Sequence, residues 1–302
     1  MRAVLAENEA GELIREAFPD FDVRSVRLEG AGWDNRAFTV NDELVFRFPQ
    51  FEQVLPYLER EIQILPQLAA LSPVPLPRIE FIGKRGRNQP FLRRFVGYRR
   101  LAGAALDART WNRLSGACRE RAVEQLAGFL EVLRDFPVDR ASTLGVGREH
   151  HRKRVLDLLE TGRSSVFALL SACERESIEG AVGAYLDDEA CFDYRPALLH
   201  ADLAGEHILW DAVTERVSGI LDFGDVVIGD PDFDLTGPYA EYGPEFIRLL
   251  LRHRPRKDAR LLFKKLNAFA VCGAINAFAH RPNQADPAAR DAALARLRAL
   301  AV

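Results

Sequence analysis

HADLAGEHILWD, residues 200–211, is followed after a short gap by ILDFGD, residues 220–225. Asp202 and His207 stand five residues apart, and Asp222 opens an Asp-Phe-Gly triplet at the end of an apolar strand. Phosphoryl transfer from a nucleotide needs little covalent help from a protein. It needs one carboxylate to orient the attacking hydroxyl and two ligands to hold a metal ion against the phosphates. Asp202, His207 and Asp222 supply that set in order and at short separations.

The two segments resemble the catalytic loop and the Asp-Phe-Gly motif of the protein-kinase-like superfamily. Within it they are most similar to the small-molecule branch, the aminoglycoside phosphotransferase family, and nearest to the aminoglycoside 2''-phosphotransferases. The usual loop reads His-x-Asp-x-x-x-x-Asn. His207 takes the last position here, a feature of the 2''-phosphotransferases and of the macrolide phosphotransferases. The resemblance implies an α+β, bilobal protein-kinase-like fold with an antiparallel β-sheet N-lobe and a mainly helical C-lobe. It also implies Asp202 as the catalytic carboxylate, His207 and Asp222 as ligands of Mg2+, and ATP or GTP as phosphate donor to a small-molecule hydroxyl acceptor. Other readings stand beside these. His200 suits a core histidine bonded to backbone carbonyls. Magnesium prefers oxygen ligands, so His207 has the alternative of orienting a water or a carboxylate. Asp225 suits a loop cap.

The chain around these motifs is 302 residues long, enough for one large core or two smaller ones. Hydrophobic residues make up 48% and charged residues 28%, a globular composition. A net charge of -3 gives no global basic field, so neither nucleic acid nor an anionic membrane is expected as a partner. No uninterrupted apolar run reaches the roughly 18 residues of a membrane span, and the N-terminus lacks the apolar core of a signal peptide. Cys118, Cys173, Cys191 and Cys272 are too far apart to suggest a metal-ligand pair, and free thiols fit a reducing, cytoplasmic setting. Surface arginine clusters allow a monomer or a homodimer.

Residues 4–18 have helical periodicity ended by Pro19. VRSVRLEG, AFTVND and ELVFRFP then read as three antiparallel strands, with Asn41-Asp42 as the second turn. The first turn carries Gly30 and Gly32, which let backbone approach an anionic ligand without a Cβ in the way. In the resemblance this turn covers the nucleotide phosphates. The third strand carries Arg47 where the kinase pattern has Lys, and the amphipathic segment 54–68 carries Glu61, with Glu59 as the alternative partner. Arg47 and Glu61 are thus expected to pair and hold the phosphates; arginine is longer and flat where lysine is a point charge. Segment 90–106 reads as a strand running into a linker. The resemblance implies that Tyr98, Arg99, Arg100 and Leu101 present backbone to the nucleotide base. Composition shifts near residue 104, which divides the chain into an N-lobe over 1–103 and a C-lobe over 104–302. Helices are expected at 117–135, 151–160, 163–186, 244–252, 258–281 and 287–300.

The acceptor is less legible. The 2''-phosphotransferases are expected to carry an acidic run before Glu-Tyr-Gly, matching their polycationic substrates. Here Glu241-Tyr242-Gly243 is present, but Gly-Pro-Tyr-Ala precedes it. Glu241 and Glu245 are the acceptor-binding candidates. An aminoglycoside-type antibiotic is the first expectation; a macrolide or metabolite kinase of the same fold, or a nucleotide-binding pseudokinase, is the alternative. Trp33, Trp111 and Tyr239 are candidates for a pocket wall, with core packing as the ordinary role.

Overall fold

The computed structural model describes residues 4–256, 258–279 and 286–301. The N-terminal sheet contains β1 (Val26–Ala31), β2 (Asn35–Val40), β3 (Leu44–Pro49), β4 (Ile79–Ile82) and β5 (Val96–Arg99). Its spatial order is β1-β2-β3-β5-β4, antiparallel throughout. Asn41 and Asp42 both adopt positive φ, 54° and 63°, the backbone a type I′ hairpin turn demands and one that Asn and Asp tolerate. α1 (Glu7–Ala17) and α2 (Leu55–Ala69) accompany the sheet. One sheet face is an aromatic core in which Phe38, Phe46, Phe48 and Phe95 are buried, the last two stacked at 4.4 Å. Side chains alternate along a strand, so Arg47, between Phe46 and Phe48, points to the opposite face.

After Arg99 the chain enters the helical part. β6 (Ala104–Ala105) pairs with β8 (Ile208–Asp211), which pairs with β9 (Arg216–Ile220); β7 (Ala197–Leu199) pairs with β10 (Val227–Gly229). These two small sheets carry the motif segments. Around them lie α3 (Ala108–Arg113), α4 (Gly116–Asp135), α5 (Val138–Thr143), α6 (His151–Ser165), α7 (Ala172–Leu186), α8 (Thr236–His253), α9 (Ala259–Ala279) and α10 (Pro287–Leu300). α9 is long and apolar enough to cross a membrane, but most of it is buried, packed against α6, α7 and α10.

Two helices differ from expectation. The segment 163–186 is not continuous: α6 runs on to Ser165, a 3-10 turn at Phe167–Leu169 follows, and α7 begins anew. Ser171 and Glu174 form a reciprocal capping box at that start, satisfying two N–H groups that a continuous helix would bond internally. α8 begins eight residues earlier than expected and bends at Gly243, whose φ of 77° accommodates the Pro244 that marked the expected start. α3 and α5 were not anticipated; each is a short helix of 6 residues. Residues 280 and 281 of the helix expected at 258–281 lie outside the described residues.

Candidate active site

The catalytic segment leaves β7 at the fully buried His200 and turns through Ala201, a non-glycine residue at φ 67°. Such a backbone persists only where its surroundings over-determine it. Here the buried Asp234 carboxylate accepts from the amides of His200 (2.9 Å) and Ala201 (2.7 Å). Burial pushes the Asp234 carboxyl up to about 7, against the two amide donors that favour its charged form. The His200 Nε2 lies 2.8 Å from the Leu221 carbonyl, which only accepts, so Nε2 carries the proton and Nδ1 receives the Asp202 amide at 3.3 Å. Burial pushes this imidazole down to about 4, in keeping with the neutral ring. His200 is a core histidine that ties the catalytic loop to the strand before Asp222.

Asp202 and His207 follow. The Asp202 side chain is half-exposed to the cleft, with His207 Nδ1 3.4 Å from its carboxylate. Desolvation pushes its carboxyl up to about 6, and His207 opposes the rise. His207 Nδ1 lies 2.8 Å from the Asp202 backbone carbonyl and so donates to it. The proton on Nδ1 leaves Nε2 with its lone pair, aimed toward Asp222 at 3.9 Å from Oδ2. That tautomer is the one a metal-binding imidazole requires. Asp222 also adopts left-handed backbone, φ 64°.

Arg47 joins the two halves of the cleft. Its Nη1 donates to Glu61 Oε1 at 2.7 Å and its Nη2 to Asp222 Oδ1 at 2.8 Å. The sequence-based pairing of Arg47 with Glu61 is present, and Asp222 is a second partner that sequence did not indicate. Burial opposes the guanidinium charge, but Asp222 and Glu61 outweigh it and hold the Arg47 pKa well above its ordinary value. Arg47 in turn holds the Asp222 carboxyl below the usual carboxylate range.

A cavity of about 570 Å³ lies over this group. Gly30, Gly32, Arg47, Tyr98, Arg100 and Leu101 line it, together with Asp202, His207 and Asp222. The glycine-bearing turn is pinned from below by Gln50, whose side-chain amide donates to the carbonyls of Gly32 and Trp33. Glu61 stands behind Arg47, outside the cavity wall. Arg99 does not face the cavity: its side chain is exposed beside Glu80 and Glu43. Its strand register opposite Leu44 leaves only its backbone near the linker.

Glu241 and Glu245, the expected acceptor-binding acids, both have partners within the chain. The Glu241 carboxylate accepts from the amides of Ala108 (3.0 Å) and Gly205 (2.7 Å), bracing the start of α3 against the catalytic loop. A Cβ at Gly205 would stand 2.5 Å from the Leu106 backbone carbonyl and 2.6 Å from that carboxylate, so the close approach requires glycine. Glu245 pairs with Arg119 on the surface at 3.4 Å. Of the aromatics, Trp33 lines the nucleotide-side cavity against Phe51, whereas Trp111 is core, stacked on Tyr242.

Sequence reasoning passed over Asp34, and it read Asp225 as a loop cap. Both line the cavity. Burial, reinforced by Asp225 and Asp222, pushes Asp34 up to about 6, and burial with Asp222 raises Asp225. Asp34 sits in a turn where aspartate is common for local reasons, which hid it. Among the described residues no three His, Cys, Asp or Glu side chains converge as a closed metal cage. Magnesium does not need one: it takes one or two protein ligands and completes its shell with phosphate oxygens and water. The Nε2 lone pair of His207 and the Oδ2 of Asp222 form such an open pair, in a cleft whose Asp34, Asp202 and Asp225 gain from a cation.

A family model described as "Phosphotransferase enzyme family" matches residues 25–262. The chain is similar to APH(2'')-IIia in its GDP and kanamycin complex, with 31% identity and a TM-score of 0.88 over 96% of this chain and 97% of that one. It is similar to wild-type aminoglycoside 2'-phosphotransferase-IIIa in its GDP complex, with 30% identity and a TM-score of 0.90 over 98% of each chain. It is also similar to the viomycin phosphotransferase of Streptomyces vinaceus, 37% identical over 91 residues. That match spans 30% of this chain and 31% of the length of that relative.

Proposed function

The chain belongs to the phosphotransferase enzyme family, and from this premise we propose that it moves the γ-phosphate of ATP or GTP to a hydroxyl of a small molecule, with Asp202 receiving the hydroxyl proton. The observation that carries this reading is the convergence of Asp202, His207, Asp222 and Arg47 on one cavity beneath a glycine-bearing turn. The acceptor oxygen forms a bond to the γ-phosphorus as the bond to the β–γ bridging oxygen breaks. The nucleoside diphosphate leaves with that electron pair, and the acceptor proton passes to the Asp202 carboxylate. Arg47 presents guanidinium N–H groups to the phosphates, and Gly30 and Gly32 keep the covering backbone free of side chains. His207 and Asp222 are the residues that would hold Mg2+, which would neutralise phosphate charge. A loose transition state rewards such positioning more than strong base chemistry.

The relatives solved with GDP support GTP as a donor beside ATP, and the relative holding kanamycin makes aminoglycosides the first acceptors to try, with macrolides next. A cytoplasmic, monomeric or homodimeric enzyme fits this role. The test is nucleoside diphosphate release from Mg·ATP or Mg·GTP in the presence of a panel of hydroxyl acceptors. Acceptor-stimulated release is the expected outcome. Nucleotide binding without release from any acceptor favours a pseudokinase, and absence of binding defeats the reading.

The raised Asp202 carboxyl also sets a pH dependence. Only the deprotonated form accepts a proton, so kcat/KM for the nucleotide, which reports the free enzyme, is expected to fall as pH drops through about 6. Asp34 is raised to the same value, so Asp34→Asn serves as the control and should leave the limb in place. For stability the sign reverses. A carboxyl raised from 3.8 to about 6 in the folded state contributes stability that is full below 3.8 and lost as pH rises through 6. A flat activity profile between pH 5 and pH 7 (roughly one unit either side of that value) removes the assignment.

A further inference from the structure

We propose that the helical lobe binds a phosphate-type oxyanion in a cavity apart from the nucleotide cleft, held by Arg195 and Arg254 with Arg134 and Arg256 beside them. This goes beyond the phosphotransfer reading and does not depend on it. The cavity has a volume of about 570 Å³ and shares no lining residue with the nucleotide cleft. Its four arginines come from three places in the chain. Arg134 lies in the last turn of α4, Arg195 just ahead of β7, and Arg254 and Arg256 in the segment that leaves α8. Leu198, Leu199 and Leu235 add apolar surface to the same wall.

Two acids line the cavity, Asp135 and Asp234, and both are committed. Asp135 pairs with its neighbour Arg134 at 3.0 Å. The Asp234 carboxylate accepts from the amides of His200 and Ala201. Outside the lining residues, Asp232 pairs with Arg256 and is shared with Lys265. Arg195 and Arg254 are left over. Among the described residues Arg195 has no carboxylate within ion-pair distance, and its charge acts on Asp135 only at longer range. The Arg254 side chain is 15% exposed, and its ion-pair partner Glu131 stands at 3.7 Å, beyond hydrogen-bond length. Among the described residues the Arg254 guanidinium makes no hydrogen bond, either to that carboxylate or to a carbonyl at the end of α4 or α8. Burial pulls the Arg254 pKa below its ordinary value, and Arg134 and Arg256 add to the fall against Glu131 and Asp135. The field at this guanidinium is thus net positive. A largely buried donor without an acceptor is costly, and an oxyanion supplies both the acceptor and the charge. Guanidinium forks match phosphate oxygens in pairs. The site also has a place in the fold. β7 runs through Leu198 and Leu199 into His200, and Asp234 fixes the amides of His200 and Ala201. An anion held here ties the end of α4, the start of β7 and the end of α8 together behind the loop that carries Asp202.

The test is the thermal midpoint of the protein, without nucleotide or acceptor, in inorganic phosphate, in phenyl phosphate and in chloride at equal ionic strength. Phosphate is expected to raise Tm by about 2 °C or more over chloride, the shift that a ligand well above its Kd gives a protein of this size. Arg195→Gln, at an exposed position, and Arg254→Gln should each lose most of that rise, measured against their own Tm in chloride. Stabilisation by exclusion of phosphate from the protein surface, and any binding at Arg47, are common to the wild type and both variants. An equal rise in the wild type and in Arg195→Gln and Arg254→Gln therefore overturns the inference, as does no rise over chloride in the wild type. A larger rise with phenyl phosphate than with phosphate, lost in the same variants, identifies the ligand as a phosphorylated organic molecule whose body meets the leucines. A smaller one identifies inorganic phosphate. No step of transfer enters this readout, so its failure leaves the phosphotransfer reading standing.

Discussion

Asp202→Ala should lower kcat by about 10²–10⁴-fold, the range spanned by a positioned acid or base, while nucleotide affinity changes little. The separation is clean because the scaffold role of this position belongs to its backbone. The Asp202 carbonyl holds His207 at 2.8 Å and its amide meets His200 at 3.3 Å. Neither contact is lost when the side chain is cut back. The carboxylate itself is half-exposed, so its removal leaves no buried donor stranded. Asp202→Asn keeps the shape and cannot accept the proton, and it should fall with the alanine variant. Single-turnover transfer measured at saturating nucleotide checks this, and residual turnover above a few per cent of wild type would sink the assignment of Asp202.

Glu61→Ala has the largest expected effect on stability. Arg47 is almost wholly buried, and Glu61 is the partner on its own side of the cleft. Removing one member of a buried pair costs about 3–5 kcal/mol, because the remaining charge keeps its desolvation without compensation. The two partners are not equivalent. Arg47 has two carboxylates, and its charge is held firmly. Glu61 has one cation, and burial raises its carboxyl in spite of it. The loss is therefore expected at the lower end of that range, with Asp222 keeping the guanidinium charged. Glu61→Gln, which retains an acceptor oxygen, should cost less. Urea unfolding of both variants measures the difference, and a loss below about 1 kcal/mol for the alanine variant would mean that the pair behaves like a surface contact.

The catalytic core was legible because its residues are close in sequence and its chemistry restricts their types. Asp202, His207 and Asp222 lie within a short segment, and the alternation of β3 is enough to turn Arg47 toward them. What escaped was set by tertiary contact. The second partner of Arg47 is 175 residues away, a distance no local pattern spans. Glu241 reads as an acceptor-binding acid until α3 and Gly205 bring two amides to it. The α6–α7 break had a signal, Ser171 three residues before Glu174, which apolar periodicity overrode.

Arg47 bridges Glu61 and Asp222, and this contact gives the cleft an internal competitor for its own ligand. Phosphate oxygens and the Asp222 carboxylate seek the same guanidinium N–H groups. An arriving nucleotide must share or displace that carboxylate, and a departing diphosphate is replaced by a partner tethered in the same molecule. The bond that resists entry thus favours departure, and product release is the step that limits many enzymes. Lysine, a point charge with no fixed fork, would bridge the two carboxylates less rigidly. The arginine in the third strand therefore bears on the tempo of turnover as well as on phosphate geometry.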